Sequence, residues 1–215
     1  MNPPLSGITV IALEQAIAVP LATRHLAELG ARVIKVERPG TGDFARSYDQ
    51  RARGLSSHFV WTNRGKESIE LDLAAPGDAA LLRRMIARAD VVVQNLGPGS
   101  AARLGFGPEA ARKLNERLVC CSLSGYGEGG PYAGRKAYDL LIQAEAGVLD
   151  VTGTEQDPAK AGIPVADIAG AMYVYSGILT ALLQRGQTGT GSVLEVNPLE
   201  ALTEWMGYPS CDGTR

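Results

Sequence analysis

With 215 residues, 45% of them hydrophobic, the chain can bury one substantial core. Charged residues make up 20% and nearly cancel at a formal charge of −2, so there is no basic field of the kind nucleic-acid partners use, and none is expected. Three cysteines, Cys120, Cys121 and Cys211, lack metal-ligand spacing, and an odd number argues against a disulfide framework. A reducing, cytoplasmic setting is the expectation. The opening MNPPLSG has no basic region leading into an apolar stretch and does not read as a signal peptide. The longest apolar run, 169–183, is broken by Gly170, Ser176 and Gly177 and is short for a bilayer span, so no membrane partner is expected.

In chain order, 8–13 (ITVIAL) reads as a buried strand, 20–29 as a helix stopped by Gly30, and 33–37 (VIKVE) as a second strand. That unit has the length and order of a βαβ crossover. A polar loop over 38–57 leads to short strands at 58–62 and 68–72. A helix at 77–87, a strand at 91–94, a helix at 108–115 and a strand at 118–122 follow. Beyond the glycine-rich loop SGYGEGGPYAGRK come helices at 138–146 and 168–184, a strand at 192–196 and a helix at 198–206. Strand and helix alternate throughout. The expected fold class is α/β, a Rossmann-like, doubly wound and mainly parallel sheet.

The first βα turn, EQAIAVP, contains no glycine, which argues against a dinucleotide site. Arg38 closes the second strand, where a cation can meet a ribose phosphate. Arg64, Lys66, Arg103, Arg135 and Lys136 lie near other strand ends or in connecting loops. Taken singly, each such charge is more often a solvated surface group. Asp167 opens the long apolar helix and reads either as an N-cap or as a carboxylate nucleophile, and Asp139 in KAYDLL has the same two readings. His25 and His58 have no Ser or Cys partner at a recognisable spacing. Cys120 and Cys121, adjacent on a strand, should face opposite sides of the sheet.

The segments PLSGITVIAL, LAELGARVIKVERPGTGDFAR, NRGKESIELDL, ADVVVQNLGPG, RLGFG, SGYGEGGPY, KAYDLL, VADIAG and ILTALLQRGQTGTGSVLEV together resemble the class III CoA-transferase family, which includes formyl-CoA and carnitine CoA-transferases. They occur in that family's order and spacing over nearly the whole chain. The resemblance implies coenzyme A contacts at Arg38, Leu71, Asp72, Leu73, Asn95, Leu96, Gly97, Arg103, Lys136, Tyr138 and Asp139, and a nucleophile at Asp167. It implies transfer of CoA between an acyl-CoA and a small carboxylic acid through an aspartyl anhydride and an aspartyl-CoA thioester. No permanently bound cofactor is implied, with CoA and acyl-CoA as substrates. Residues 42–73 and 129–147 look closest to members acting on C4 and C5 dicarboxylates, such as itaconate, citramalate or mesaconate, with succinyl-CoA as donor. Ile17 stands where formyl-CoA transferases carry Gln, which argues against oxalate or formate. Tyr138 stands where the related α-methylacyl-CoA racemases carry a His base.

Family members are roughly twice as long and form homodimers of interlocked rings. The resemblance therefore makes 1–215 the N-terminal part of a large CoA-binding domain, apparently truncated, with the small second domain absent. A CoA-binding fragment without turnover is the alternative expectation. Leu199, Leu202, Trp205 and Met206 are then expected to form an exposed apolar patch.

Overall fold

The computed structural model describes residues 2–212. Its first half contains β1 (Thr9–Leu13), α1 (Ala18–Glu28), β2 (Arg32–Glu37), a 3-10 turn at Phe44–Ser47, α2 (Ser57–Asn63), β3 (Glu67–Glu70), α3 (Pro76–Ile86) and β4 (Val91–Gln94). The second half contains α4 (Ser100–Arg103), α5 (Pro108–Leu114), β5 (Val119–Leu123), α6 (Asp139–Glu145), α7 (Val148–Val151), α8 (Val165–Thr188), β6 (Val193–Val196), α9 (Pro198–Trp205) and α10 (Gly207–Asp212).

The six strands form one sheet in the order β3-β2-β1-β4-β5-β6, and every pairing is parallel. This is the doubly wound arrangement expected from the alternation, with β1 and β2 adjacent and Val10 opposite both Val33 and Val91. Strands buried on both faces should be apolar on both. Accordingly Val10, Ala12, Val33, Val93 and Cys121 join one core with α1 and α8, while Ile11, Leu13, Val36, Val92 and Cys120 join a second core with α3 and α5. Cys120 and Cys121 do face opposite sides, and burial pushes their thiols up to about 11 and about 12.

The helix ends follow local chemistry. Gly30 adopts φ +94° just past α1, as a left-handed C-terminal glycine does. In α3, Pro76 takes the first turn, with Asp78 near the N-terminus and Arg83 and Arg84 near the C-terminus, all matched to the helix dipole. Asn197 caps α9 by accepting from the Glu200 N–H at 2.7 Å.

Residues 58–62 are helical rather than a strand. The β-prone residues Phe59, Val60, Trp61 and Thr62 favour an extended reading. Against that bias, the Ser56 hydroxyl accepts from the Phe59 N–H, Thr62 bonds back to the His58 carbonyl, and the turn packs on α1. The long helix begins at Val165 and runs on to Thr188, where Gly189 (φ +77°) ends it. By length and composition α8 is apolar enough to cross a membrane. It packs instead against α1, β5 and α9 and supplies Val174 and Ile178 to the core.

The expected patch is met only by Trp205, which is exposed. Leu202 is buried, and Leu199 and Met206 pack against Ile142, Val148 and Ala169 where α6, α8 and α9 meet.

Candidate active site

A parallel sheet in this order opens a crevice where β1 and β4 diverge, at their C-terminal ends. A cavity of about 770 Å3 occupies that place. One wall is the turn after β1, held in an unusual shape. Asn95, just after β4, accepts from the Gln15 N–H and donates to the Gln15 carbonyl, both at 2.9 Å. Ala16 is left-handed (φ +64°), and its N–H donates to Asp43 Oδ1. A non-glycine residue in that region is strained and persists there only where its surroundings hold it.

What holds it is a buried charge network. Lys35 Nζ donates to Asp43 Oδ2 at 2.8 Å and lies 3.4 Å from Glu14 Oε1, while Lys66 Nζ reaches the same Glu14 oxygen at 2.6 Å. All four side chains are nearly inaccessible. Burial opposes ionisation of Glu14, but the two ammonium groups and the Thr23 hydroxyl outweigh it and lower its pKa. Burial also brings Lys66 down to about 8. Beside this network, burial again opposes the charge on Glu37. Hydrogen bonds from Arg46, Ser68 and the Asp43 N–H hold that carboxyl down at about 2.

The opposite wall is the N-terminal turn of α8. Small residues let it approach closely: a Cβ on Gly170 would lie 3.2 Å from Leu123 and 3.3 Å from Pro198. Asp167 is the third residue of α8, so it is not the N-cap. Pro164 holds that position without a side-chain bond. The capping acceptor comes from another helix. Asp139 Oδ1 accepts from the Ala166 N–H at 2.9 Å and the Asp167 N–H at 3.2 Å, and Gln143 donates to its other oxygen at 2.5 Å. Asp139 thus caps α8 rather than its own helix, and the Asp167 carboxylate is left half-buried in the cavity wall. Lost solvation first, and the Asp139 charge second, push the Asp167 carboxyl up to about 7. A half-buried carboxyl raised in this way, beside a second carboxylate in a cleft, makes the position a candidate for chemistry.

Every other residue expected here lines the same cavity except one: Arg38, Leu71, Asp72, Leu73, Asn95, Leu96, Gly97, Lys136, Tyr138 and Asp139 surround it with Asp167. Arg103 does not line it. Its guanidinium is turned onto the Pro98 carbonyl at 3.2 Å and the Ser100 hydroxyl at 2.7 Å, both on residues of the rim. Of the remaining cations read from the sequence, Arg64 pairs with Glu28 on the surface and Lys66 is sealed behind the wall. Arg135 is in the lining. Gly125 allows its loop to fold back, since a Cβ there would meet Ala137 at 1.9 Å. His25 packs on Tyr175, and His58 bonds Asp49.

Tyr48 escaped the sequence reading. It lines the cavity with its ring edge-on to His58, on a loop that Asp49 ties to Arg51 and Ser57. Burial and the charges of Asp43 and Asp167 raise its phenol pKa. Nothing in its local sequence marks it. The buried network was also missed, though a lysine in the middle of a central strand is a visible anomaly.

The model of CoA-transferase family III matches residues 5–214. An acetyl-CoA:oxalate CoA-transferase of Acetobacter aceti is 40% identical over 95% of this chain and 53% of its own length. The succinyl-CoA:glutarate CoA-transferase of Homo sapiens is 36% identical over 95% and 47%, respectively. A succinyl-CoA–D-citramalate CoA-transferase of Chloroflexus aurantiacus is 34% identical over 94% and 51%. The chain spans about half the length of these curated relatives. A solved CAIB/BAIF family protein from Brucella suis superposes with a TM-score of 0.94 at 34% identity, over 99% of this chain and 57% of that one.

Proposed function

Because the chain belongs to CoA-transferase family III, we propose that its cavity binds an acyl-CoA and that Asp167 is the nucleophile that moves CoA from one carboxylic acid to another. The observation that carries this reading is the Asp167 carboxylate, relieved of capping by Asp139 and facing a cavity large enough for an acyl-CoA terminus. Arg38, Asn95, Leu96, Gly97 and Lys136 are the proposed contacts to CoA, with Leu71, Asp72, Leu73 and Tyr138 along the same wall and Arg103 joining from the rim.

In the first step an Asp167 oxygen attacks the thioester carbonyl carbon. A C–O bond forms, the C–S bond breaks, and CoA leaves as the thiolate. The thiolate then attacks the aspartyl carbonyl of the anhydride, expelling the donor acid as its carboxylate and leaving an aspartyl-CoA thioester. An acceptor carboxylate reverses both steps. Both intermediates hydrolyse readily, so water must be kept out. Tyr138 rather than histidine precedes Asp139, which disfavours a racemase reading.

The preferred acids are proposed to be C4 and C5 dicarboxylates with succinyl-CoA as donor. Glutarate and citramalate, named for two relatives above, are both diacids. Incubation with succinyl-CoA should give a protein mass increased by CoA less one water. The rate of its appearance should rise with pH through about 7 and then level off, because only the ionised Asp167 attacks. No adduct at any pH between 6 and 9 would overturn the reading.

Arg38 is exposed at the end of β2, on the cavity rim. Arg38→Ala should weaken CoA binding by about tenfold in low salt and less at 0.5 M salt, as screening shortens the reach of the charge. Titration calorimetry at the two salt concentrations measures this. An unchanged affinity in low salt would remove Arg38 from the site.

A further inference from the structure

We propose that Arg135 holds the distal carboxylate of a dicarboxylic acyl group and so sets the choice of acid, an inference that rests on the acyl-CoA reading above. A diacid joined to CoA through one end brings its second negative charge into a cavity that already carries Asp139 and Asp167. That charge requires a cation in the same space. Among the described residues the cations lining the cavity are Arg38, Arg135 and Lys136. Lys35, Lys66 and Arg46 lie close by but are engaged by Asp43, Glu14 and Glu37. Arg38 and Lys136 are the proposed CoA contacts, which leaves Arg135.

The state of Arg135 fits this role. Its guanidinium lies over the Tyr132 ring, 3.8 Å from the centroid, and makes no hydrogen bond or ion pair with the described residues. Tyr132 is in turn set edge-on against Tyr126, with centroids 5.4 Å apart and planes at 86°. The Arg135 N–H donates to the Tyr132 carbonyl at 2.9 Å, closing the turn that brings ring and guanidinium together. Stacking fixes the guanidinium plane while leaving the N–H donors on its edge free, and a carboxylate takes up that edge with two parallel hydrogen bonds. A lysine could not reproduce the fork. Arg135 also precedes Asp139 by four residues, so one short segment carries both the anchor and the group that caps the nucleophile's helix.

The test compares equilibrium binding of CoA, butyryl-CoA and succinyl-CoA to the wild type, Arg135→Gln and Tyr132→Leu. Butyryl-CoA keeps the four-carbon chain and lacks the distal carboxylate. Arg135→Gln should weaken succinyl-CoA binding about ten- to hundredfold, the range for a lost charge-assisted contact. CoA and butyryl-CoA affinities should change less than about threefold over the same scale. Tyr132→Leu should reproduce the selective loss in smaller measure, because it removes the platform and not the charge. Equal weakening of all three ligands would put Arg135 on CoA itself and overturn the inference, as would unchanged succinyl-CoA binding. A wild type that binds none of the three would overturn the acyl-CoA reading as well. One that binds all three without a succinyl-specific loss in the variant sinks the Arg135 role alone.

Discussion

Asp167→Asn should abolish the covalent CoA adduct and lower its rate of formation by about four orders of magnitude or more, while CoA affinity stays within about threefold of wild type. The amide matches the carboxylate in size but is a far poorer nucleophile. The helix start is not at risk, since its N–H groups bond to Asp139 and not to Asp167. Intact-protein mass spectrometry with succinyl-CoA reads the adduct, and calorimetry reads the affinity. A surviving adduct would move the nucleophile elsewhere, with Asp139 the first place to look. The same substitution should also stabilise the fold above neutral pH. Asp167 is raised from 3.8 to about 7 in the folded protein, so between those values the folded state holds a proton that the unfolded state has lost. Stability therefore falls as pH rises through that window, and the asparagine variant escapes the loss. A higher unfolding midpoint for Asp167→Asn at pH 8 than at pH 5, each relative to wild type, is the expected signature of a residue kept at a cost to stability.

Lys35→Met should be the most damaging substitution for the fold. It preserves the apolar stem but leaves Asp43 without its 2.8 Å partner and Glu14 with Lys66 as its remaining cation beside the Thr23 hydroxyl, all in a region closed to water. Removing one member of a buried charge set costs about 3–5 kcal/mol, because the remaining charge is left desolvated. Urea unfolding should show a lower midpoint at unchanged slope. Adding Asp43→Asn should recover part of the loss, since an amide oxygen can still accept from the Ala16 and Ala45 N–H groups. A loss below about 1 kcal/mol would mean that the network does not hold the turn after β1 in place.

The sheet was legible because parallel strands buried on both faces leave a plain mark, and ITVIAL, VVVQ and VCCSL carry it. α2 was misread because Phe59, Val60, Trp61 and Thr62 carry strand propensity into a turn fixed by packing on α1. For Asp167 the local pattern left an N-cap and a nucleophile both open and favoured the cap, and only the resemblance turned the expectation towards the nucleophile. What the pattern could not show is that the capping acceptor is Asp139, 28 residues earlier. The network behind the cavity joins residues up to 52 positions apart, so no local window contains it. Even so, Lys35 in the middle of VIKVE breaks the apolar rule for a central strand and could have pointed there. Tyr48 gave no signal, because its place depends on how Asp49 folds its own loop.

The strand order also fixes when the cavity can exist. As the chain leaves the ribosome, β1 can pair with β2 soon after residue 37 is free, but its other neighbour, β4, ends at residue 94. Over that interval Val10, Ile11 and Ala12 form an open, apolar edge, the kind of surface that strands of other chains add to. The wall bearing Asp167 arrives later still, when α8 docks on α1 and β5. The cavity is thus among the last parts to be assembled, and a newborn chain stalled before residue 94 exposes the strand that later lies at its centre.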